Sequence, residues 1–326
     1  MKRIALIGLF TGLLIFIGLL VWQGVTDVFS LVLSSGWALL WLPIVWLPCF
    51  LPLAQSWRLC FLPGRLPTMP QSLMGIWLGR SVNSLLPVAT IGGEIVKARL
   101  VTLWGSNVND ATASVMVDKT LQAFTVVIWG LIGVSLLIYT AAGQDLAIFA
   151  LIGFAILALS VTGMVYIQKK GLFSFMARLG GSLFKSGSWE GLSQNARIVD
   201  EVIRSIYADK KRIYAASAIK TAGYVLQTTE VWLAFYLLGS PISITEALLL
   251  KSLTATISDI AFVIPNGYGI QEGAFIMIGA VLGVNADLAL AVSLAIRIRE
   301  ITVDPAGLFI WHQIETRELI RNGQAG

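Results

Sequence analysis

Leu85-Leu-Pro87-Val-Ala-Thr-Ile-Gly92-Gly93-Glu94 interrupts one long apolar stretch, and Ile264-Pro265-Asn-Gly267-Tyr-Gly269-Ile-Gln-Glu272-Gly273 interrupts another. In both, a proline closes an apolar helix, a glycine-bearing bend follows, and a glutamate stands seven positions after the proline. Proline removes a backbone donor and turns its predecessor away from helix. Glycine permits bends and close backbone approach. The glutamate then falls near the N-terminus of the next half-helix, where negative charge is favourable and free N–H groups bind anions. Two such breaks in apolar sequence point to an all-α fold, a polytopic helical membrane bundle with broken helices near its midplane.

Working outward, the rest of the 326 residues agrees: 56% are hydrophobic and 13% charged, against about 25% charged in a soluble domain. The runs 4–22, 35–54, 120–139, 146–167, 213–239 and 287–311 lie at or near the ~20 residues that cross a bilayer as helix, so six full spans are expected. The stretches 72–104 and 244–283, each broken in the middle, are expected as re-entrant hairpins, with backbone tolerated at depth only inside protein or beside a wet cavity. Residues 4–22 follow a basic Met1-Lys2-Arg3 start without a small-x-small cleavage site, and read as a span rather than a signal peptide. Cys49 and Cys60, in or beside the second span, predict no structural disulfide. The net charge of +5 is assigned to basic loops facing anionic lipid, not to a nucleic acid partner.

The loops 23–34, 140–145 and 240–243 hold no Lys or Arg, whereas 55–65, 94–119, 168–212 and 312–326 hold most of them. The positive-inside rule then places both termini in the cytoplasm of a bacterial-type inner membrane. The chain reads as one transmembrane domain, 1–326. Its first half, 1–139, surrounds bend 87–94, and its second, 213–326, surrounds bend 265–273. A cytoplasmic loop, 168–212, partly helical and resting on the membrane surface, joins them. On this topology the hairpins approach from opposite faces, as in an inverted repeat.

The stretch Gly79-Arg80-Ser-Val-Asn83-Ser-Leu-Leu-Pro87, followed by Gly92-Gly93-Glu94, Lys97 and Arg99, resembles the flippase-like domain of the lysylphosphatidylglycerol synthase superfamily. Val117-Asp118-Lys119-Thr120-Leu-Gln122, the 265–273 bend, and Arg297-Ile-Arg299-Glu300 before Pro305-Ala-Gly307-Leu and Trp311 carry the same resemblance. Within the superfamily the chain looks most like the hopanoid-biosynthesis-associated membrane proteins. The resemblance covers nearly the whole chain and implies a flippase moving an anionic or hopanoid-type lipid. With the sequence ending at Gly326, it implies the translocation module without aminoacyl transfer. Asn266 and Tyr268 depart from the smaller residues usual in that family's second bend, which puts the second site in doubt more than the first.

Ionisable side chains inside a span cost about 2.5–3.5 kcal/mol on insertion scales and so face the protein interior or a cavity. Arg297 lies ten residues after Asp287, ~15 Å along the last span. Arg297, Glu300 and Asp304 share one helical face, with Arg299 expected to point elsewhere. That stripe reads either as a salt bridge between helices or as a headgroup site. Glu230, Lys251 and Asp259 also sit within apolar runs, while Lys220 is expected to snorkel to the cytoplasmic end. Around the first bend, Arg80, Lys97, Arg99 and Lys119 are expected to surround a phosphate, for which Arg and Lys suit the oxygens. Ordinary positive-inside placement is the alternative for Lys97, Arg99 and Lys119. Asn83, Glu94 and Asp118, with the bend residues Pro87, Gly92, Gly93, Pro265, Gly267, Gly269 and Glu272, complete the expected translocation set. Trp22, Trp37, Trp41, Trp57 and Trp311 are expected at the interfaces, and Pro43, Pro48 and Pro52 are expected to kink the second span.

No G-x-x-x-x-G-K-[ST] loop occurs, and the one histidine, His312, leaves no H-E-x-x-H zinc site. No cofactor or metal is therefore expected, and the expected partner is a membrane lipid. The alternatives are a membrane enzyme working through Glu94 and Glu272, or a scaffold that assembles lipid-synthesis enzymes on 168–212. No motif sets the oligomeric state.

Overall fold

The structure, a computed structural model, describes residues 10, 14–15, 17–19, 21, 30, 32–86, 91–139, 144–183, 189–260 and 264–323. Most of the first expected span, with Trp22, and the tip of the first bend, with Pro87, lie outside the described residues. Among the described residues the chain is helical and contains no strand.

Helix α1, Val32–Leu59, is not uniform. Tighter 3-10 turns at Gly36–Leu40 and Leu47–Cys49 alternate with α-helix at Trp41–Trp46 and Phe50–Leu59, because Pro43, Pro48 and Pro52 each withhold a backbone donor. The first interrupted stretch is α2, Met69–Leu85, and α3, Gly92–Leu103. Then follow α4, Val108–Tyr139, α5, Gln144–Leu183, and α6, Trp189–Ala208. Helices α7, Lys210–Leu226, and α8, Thr228–Leu237, precede the second interrupted stretch, α9, Ile244–Ile260, and α10, Ile270–Val281. A 3-10 turn, Pro265–Gly267, stands between α9 and α10, and α11, Ala286–Gly323, ends the chain.

Among the described residues three helical stretches are long and apolar enough to cross a membrane: Val32–Leu59, Val108–Tyr139 and Leu151–Phe175. The expected span 213–239 is two helices meeting at Gln227. The expected span 287–311 lies within α11, which buries Arg297, Arg299, Glu300 and Asp304. Helices α2 and α9 have 17 residues each and α3 and α10 have 12. At 1.5 Å per residue, arms of ~26 and ~18 Å fall short of a ~30 Å hydrocarbon layer.

Each arm pair packs on itself and then across the molecule. Helix α2 lies on α3 and on α11, while α9 lies on α10 and on α4. Helix α3 leans on α4 as α10 leans on α11, and the 3-10 turn of the second break packs against α2. The largest core cluster, including Leu42, Leu137, Phe235, Leu250, Phe275 and Leu290, ties α1, α4, α8, α9, α10 and α11 together.

Local sequence sets the helix ends. Thr68 and Gln71 form a reciprocal capping box at the start of α2. At the start of α10, Glu272 accepts from the Gly269 N–H at 2.7 Å, as its place after the bend predicts. The second arms close in one way: Gly105 and Gly283 take φ of +98° and +75°, and the next N–H reaches back to Val101 and to Gly279, 2.9 Å each.

The 168–212 segment is helical in its described part, but α6 does not leave its apolar face for a membrane surface. Val199, Val202, Ile203, Ile206 and Tyr207 are buried, and α6 packs on α4 and α5. Asp200 of α6 accepts from the N–H groups of Phe173 and Ser174, where Gly171 breaks α5. Of the tryptophans expected at the interfaces, Trp37 and Trp41 are exposed and Trp311 half-buried, whereas Trp57 is fully buried. Cys49 and Cys60 are free and buried.

Helices α2 and α3 cross through glycine. A Cβ on Gly93 would press on the Gly79 carbonyl and the Asn83 amide, whose Oδ1 accepts from the Gly93 N–H at 2.7 Å. Gly93→Ala is therefore expected to destabilise the protein by about 1–3 kcal/mol through overpacking. Gly153→Ala, where a Cβ meets nothing within 4 Å, is the control. Thermal unfolding of the purified variants checks this; equal midpoints would refute the tight crossing.

Candidate functional site

A cavity of about 880 Å³ lies where the two interrupted stretches meet. Its wall takes Arg80 and Asn83 from α2, Glu94 and Lys97 from α3, and Asp118, Lys119 and Gln122 from α4. The second half supplies Lys251, Ser258 and Asp259 from α9, Asn266 and Gly267 from the 3-10 turn, and Arg299 and Glu300 from α11. Lys220 and Tyr224 of α7 and Trp46 and Phe50 of α1 close it.

Two ion networks form this wall. In the first, Asp118 is buried and accepts from Lys97 at 2.6 Å and from Lys220 at 2.5 Å. Lys97 also reaches Glu94 at 2.9 Å and lies 4.8 Å over the Trp57 ring. This explains two departures from expectation. Lys220 is not snorkelling but spent on Asp118, and Trp57 is not an interface residue but part of the support for Lys97. In the second network Arg297 donates to Glu272 at 2.9 Å, to Glu300 at 2.7 Å and to the Asn266 carbonyl at 3.2 Å. Arg299 was expected to point away from Glu300, yet it is buried and donates to Glu230 at 2.8 Å and to Glu300 at 3.3 Å. Its long side chain turns it inward, because the buried Glu230 on α8 would otherwise have only Lys251, at 4.0 Å, as counter-ion. Asn266, at φ +53°, donates to Glu300 at 2.5 Å, and Tyr268 lies under Arg297 at 4.6 Å. These two departures from smaller residues therefore brace the second bend.

Three cations face the cavity with looser pairing. Arg80 is 31% exposed, 3.4 Å from Asp304 and 3.8 Å from Glu300. Lys119 is 39% exposed and 3.6 Å from Glu94. Lys251 is 13% exposed, with Glu230 at 4.0 Å. Such groups have donor capacity left for a phosphate or carboxylate. Arg99 is not with them. It is half-exposed on the far side of α3 and paired with Glu315 at 2.7 Å. Glu230, Glu272 and Arg297 stand behind the wall as its anchors, Gly92, Gly93 and Gly269 shape the backbone, and Pro265 starts the 3-10 turn. Among the described residues no three His, Cys, Asp or Glu side chains converge as a metal site.

A register hidden in the sequence relates the two networks. At a constant offset of 178 residues, Pro87 corresponds to Pro265, Glu94 to Glu272, Gly105 to Gly283, Asn107 to Asn285, Lys119 to Arg297 and Gln122 to Glu300. The contacts keep that register: Glu94 meets Lys119 as Glu272 meets Arg297, and Lys119 donates to Gln122 as Arg297 donates to Glu300. The proline–glutamate spacing alone reveals two of these pairs. Extending it without gaps would have added Lys119 and Gln122 as the partners of Arg297 and Glu300.

A family model for the lysylphosphatidylglycerol synthase TM region matches residues 9–303. A UPF0104 membrane protein of Pyrococcus horikoshii is 24% identical over 240 residues, 69% of this chain and 70% of the relative. No solved structure matches the chain.

Asp118 neutralises two buried lysines, so Asp118→Asn leaves both without their main partner. The expected cost is about 3 kcal/mol. Arg99→Gln, at a half-exposed pair, is expected to cost under about 1 kcal/mol. Unfolding midpoints in detergent compare the two; similar shifts would mean that Asp118 is not the anchor of the first network.

Proposed function

We propose that this chain, which belongs to the family of the lysylphosphatidylglycerol synthase TM region, carries a lipid with an anionic headgroup across the membrane through the cavity between its broken helices. It is an integral membrane protein, by family and by its long apolar helices. The observation that carries the reading is the group Arg80, Lys119 and Lys251, loosely paired cations converging on one cavity among apolar helices. Ionisable groups kept at such depth are expensive and mark substrate or ion paths. A phosphate entering the cavity takes up their spare donors, while the hydrocarbon part stays toward the bilayer.

The repeat belongs to the same reading. Equal arm lengths, the 178-residue register and the reciprocal packing of α2 on α11 and α9 on α4 support two equivalent units. With six full spans, the bends point in from opposite faces as in carriers built from inverted repeats. Both termini then lie in the cytoplasm of a bacterial-type inner membrane, opposite the loops 23–34, 140–145 and 240–243 that lack Lys and Arg. The resemblance noted above adds hopanoid-type lipids to the substrates to be tried. The carrier moves its lipid without chemical change; turnover of lipid would make it an enzyme, and neither movement nor turnover would favour a scaffold.

Reconstitution into vesicles with headgroup-labelled lipids tests this. Wild-type protein is expected to speed exchange of anionic lipid between leaflets. Glu94→Gln weakens the hold on Lys97 and Lys119 at the cavity wall, and is expected to slow exchange at least ~10-fold with folded protein still in the membrane, the equivalent of one lost ion-pair interaction. Arg80→Ala is expected to erase the preference for anionic over neutral headgroups. Exchange at the protein-free rate, or an unchanged preference in Arg80→Ala, would overturn the corresponding claim.

A further inference from the structure

We infer that a groove between α1, α2 and α11 holds the hydrocarbon tail of the lipid whose headgroup occupies the polar cavity. This rests on the carrier reading and names what sits beside its site. The groove has a volume of about 350 Å³, with Leu47, Phe50, Leu73, Met74, Trp77 and Val303 among its walls. Its few polar atoms are already spent. The Trp77 indole N–H donates to the Val303 carbonyl at 3.0 Å, and the Thr302 hydroxyl donates within its own helix at 2.9 Å. A polar ligand would lose its hydration there without compensation, whereas hydrocarbon loses nothing.

Helix α11 packs against α2 beside the groove. Pro305 cannot donate to the carbonyl four residues back. One turn from Val303, Gly307 comes so close to Ser81 and Trp77 that a Cβ would collide with both. The space opens outward at Leu47, Thr302 and Ala306, which line it and are exposed.

What assigns the groove to the substrate, rather than to any boundary lipid, is its junction with the charges. Phe50 lines both the groove and the cavity. Trp46 meets Phe50 edge-on with ring centroids 4.8 Å apart, and carries the Arg80 and Arg299 guanidinium groups over its ring at 4.6 and 4.3 Å. Trp77 stands one helical turn before Arg80, and Val303 immediately precedes Asp304, which faces Arg80. Guanidinium and hydrocarbon surfaces are thus separated by one aromatic pair, the juxtaposition found where a lipid phosphate meets its tail.

Ala306, exposed at the groove, can be enlarged without entering the core. Full-length protein carrying Ala306→Phe is reconstituted and compared with Leu51→Phe, an exposed site outside the groove. Exchange is measured for a long-chain phosphatidylglycerol and for its short-chain form with the same headgroup. In parallel, a phosphatidylglycerol with a photoreactive group near the start of one tail is crosslinked and the labelled peptides are mapped. The expected result is at least a tenfold loss of long-chain exchange in Ala306→Phe alone, short-chain exchange kept, and label on 73–77 and 302–306 that Ala306→Phe removes. Equal loss for both chain lengths, no loss, or label spread evenly over other exposed helices such as α5 would overturn the tail site. Groove labelling in a wild type that exchanges no lipid would refute the carrier reading while supporting a tail site.

Discussion

An ionised side chain inside an apolar bundle is stable only beside its counter-charge, and the arrangement of this protein follows from meeting that condition at several places. Asp118 draws Lys97 from α3 and Lys220 from α7 to one point on α4. Glu300 gathers Arg297 and Arg299 from its own helix, with Asn266 from the second break and Arg80 at longer range. These contacts connect elements far apart in sequence, so they fix how the broken helices sit as well as what they carry. Removing one partner leaves a buried charge exposed to low dielectric, a larger penalty than the pair's own attraction suggests.

The two networks are related in register but not in tightness. Glu272 and Arg297 are both buried and in direct contact at 2.8 Å, whereas Glu94 and Lys119 stand 3.6 Å apart with Lys119 open to the cavity. The second break is therefore braced from all sides by Asn266, Tyr268 and Glu300, and the first keeps cationic capacity for a ligand.

Much of this was readable in the chain, and the failures have physical causes. Proline and glycine act locally, so the breaks and the irregular second span are visible in sequence. The capping place of Glu272 follows from its distance to the bend. Arg99, Lys220 and Arg299 were misplaced because charge pairing is decided by tertiary neighbours. Glu315, Asp118 and Glu230 are 216, 102 and 69 residues away from them, respectively. Trp57 misled for a related reason: an indole suits an interface, yet it also fills a core beneath a cation. Loop 168–212 was legible as helix but not in its docking, since an amphipathic stripe fits a protein face as well as a lipid surface.

Carriage of a charged headgroup requires a water-filled cavity among apolar helices, reached between the broken arms. Ala123 lines that cavity on α4, while Leu131, two turns on, is exposed on the outer surface of the same helix. With Cys49 and Cys60 replaced, the rate at which a membrane-impermeant thiol reagent modifies Ala123→Cys and Leu131→Cys in sealed vesicles decides the matter. Rapid modification of Ala123→Cys from one side, slowed by anionic lipid and absent at Leu131→Cys, is the result this account requires. Modification of Ala123→Cys as slow as that of Leu131→Cys would mean that no hydrated path exists there.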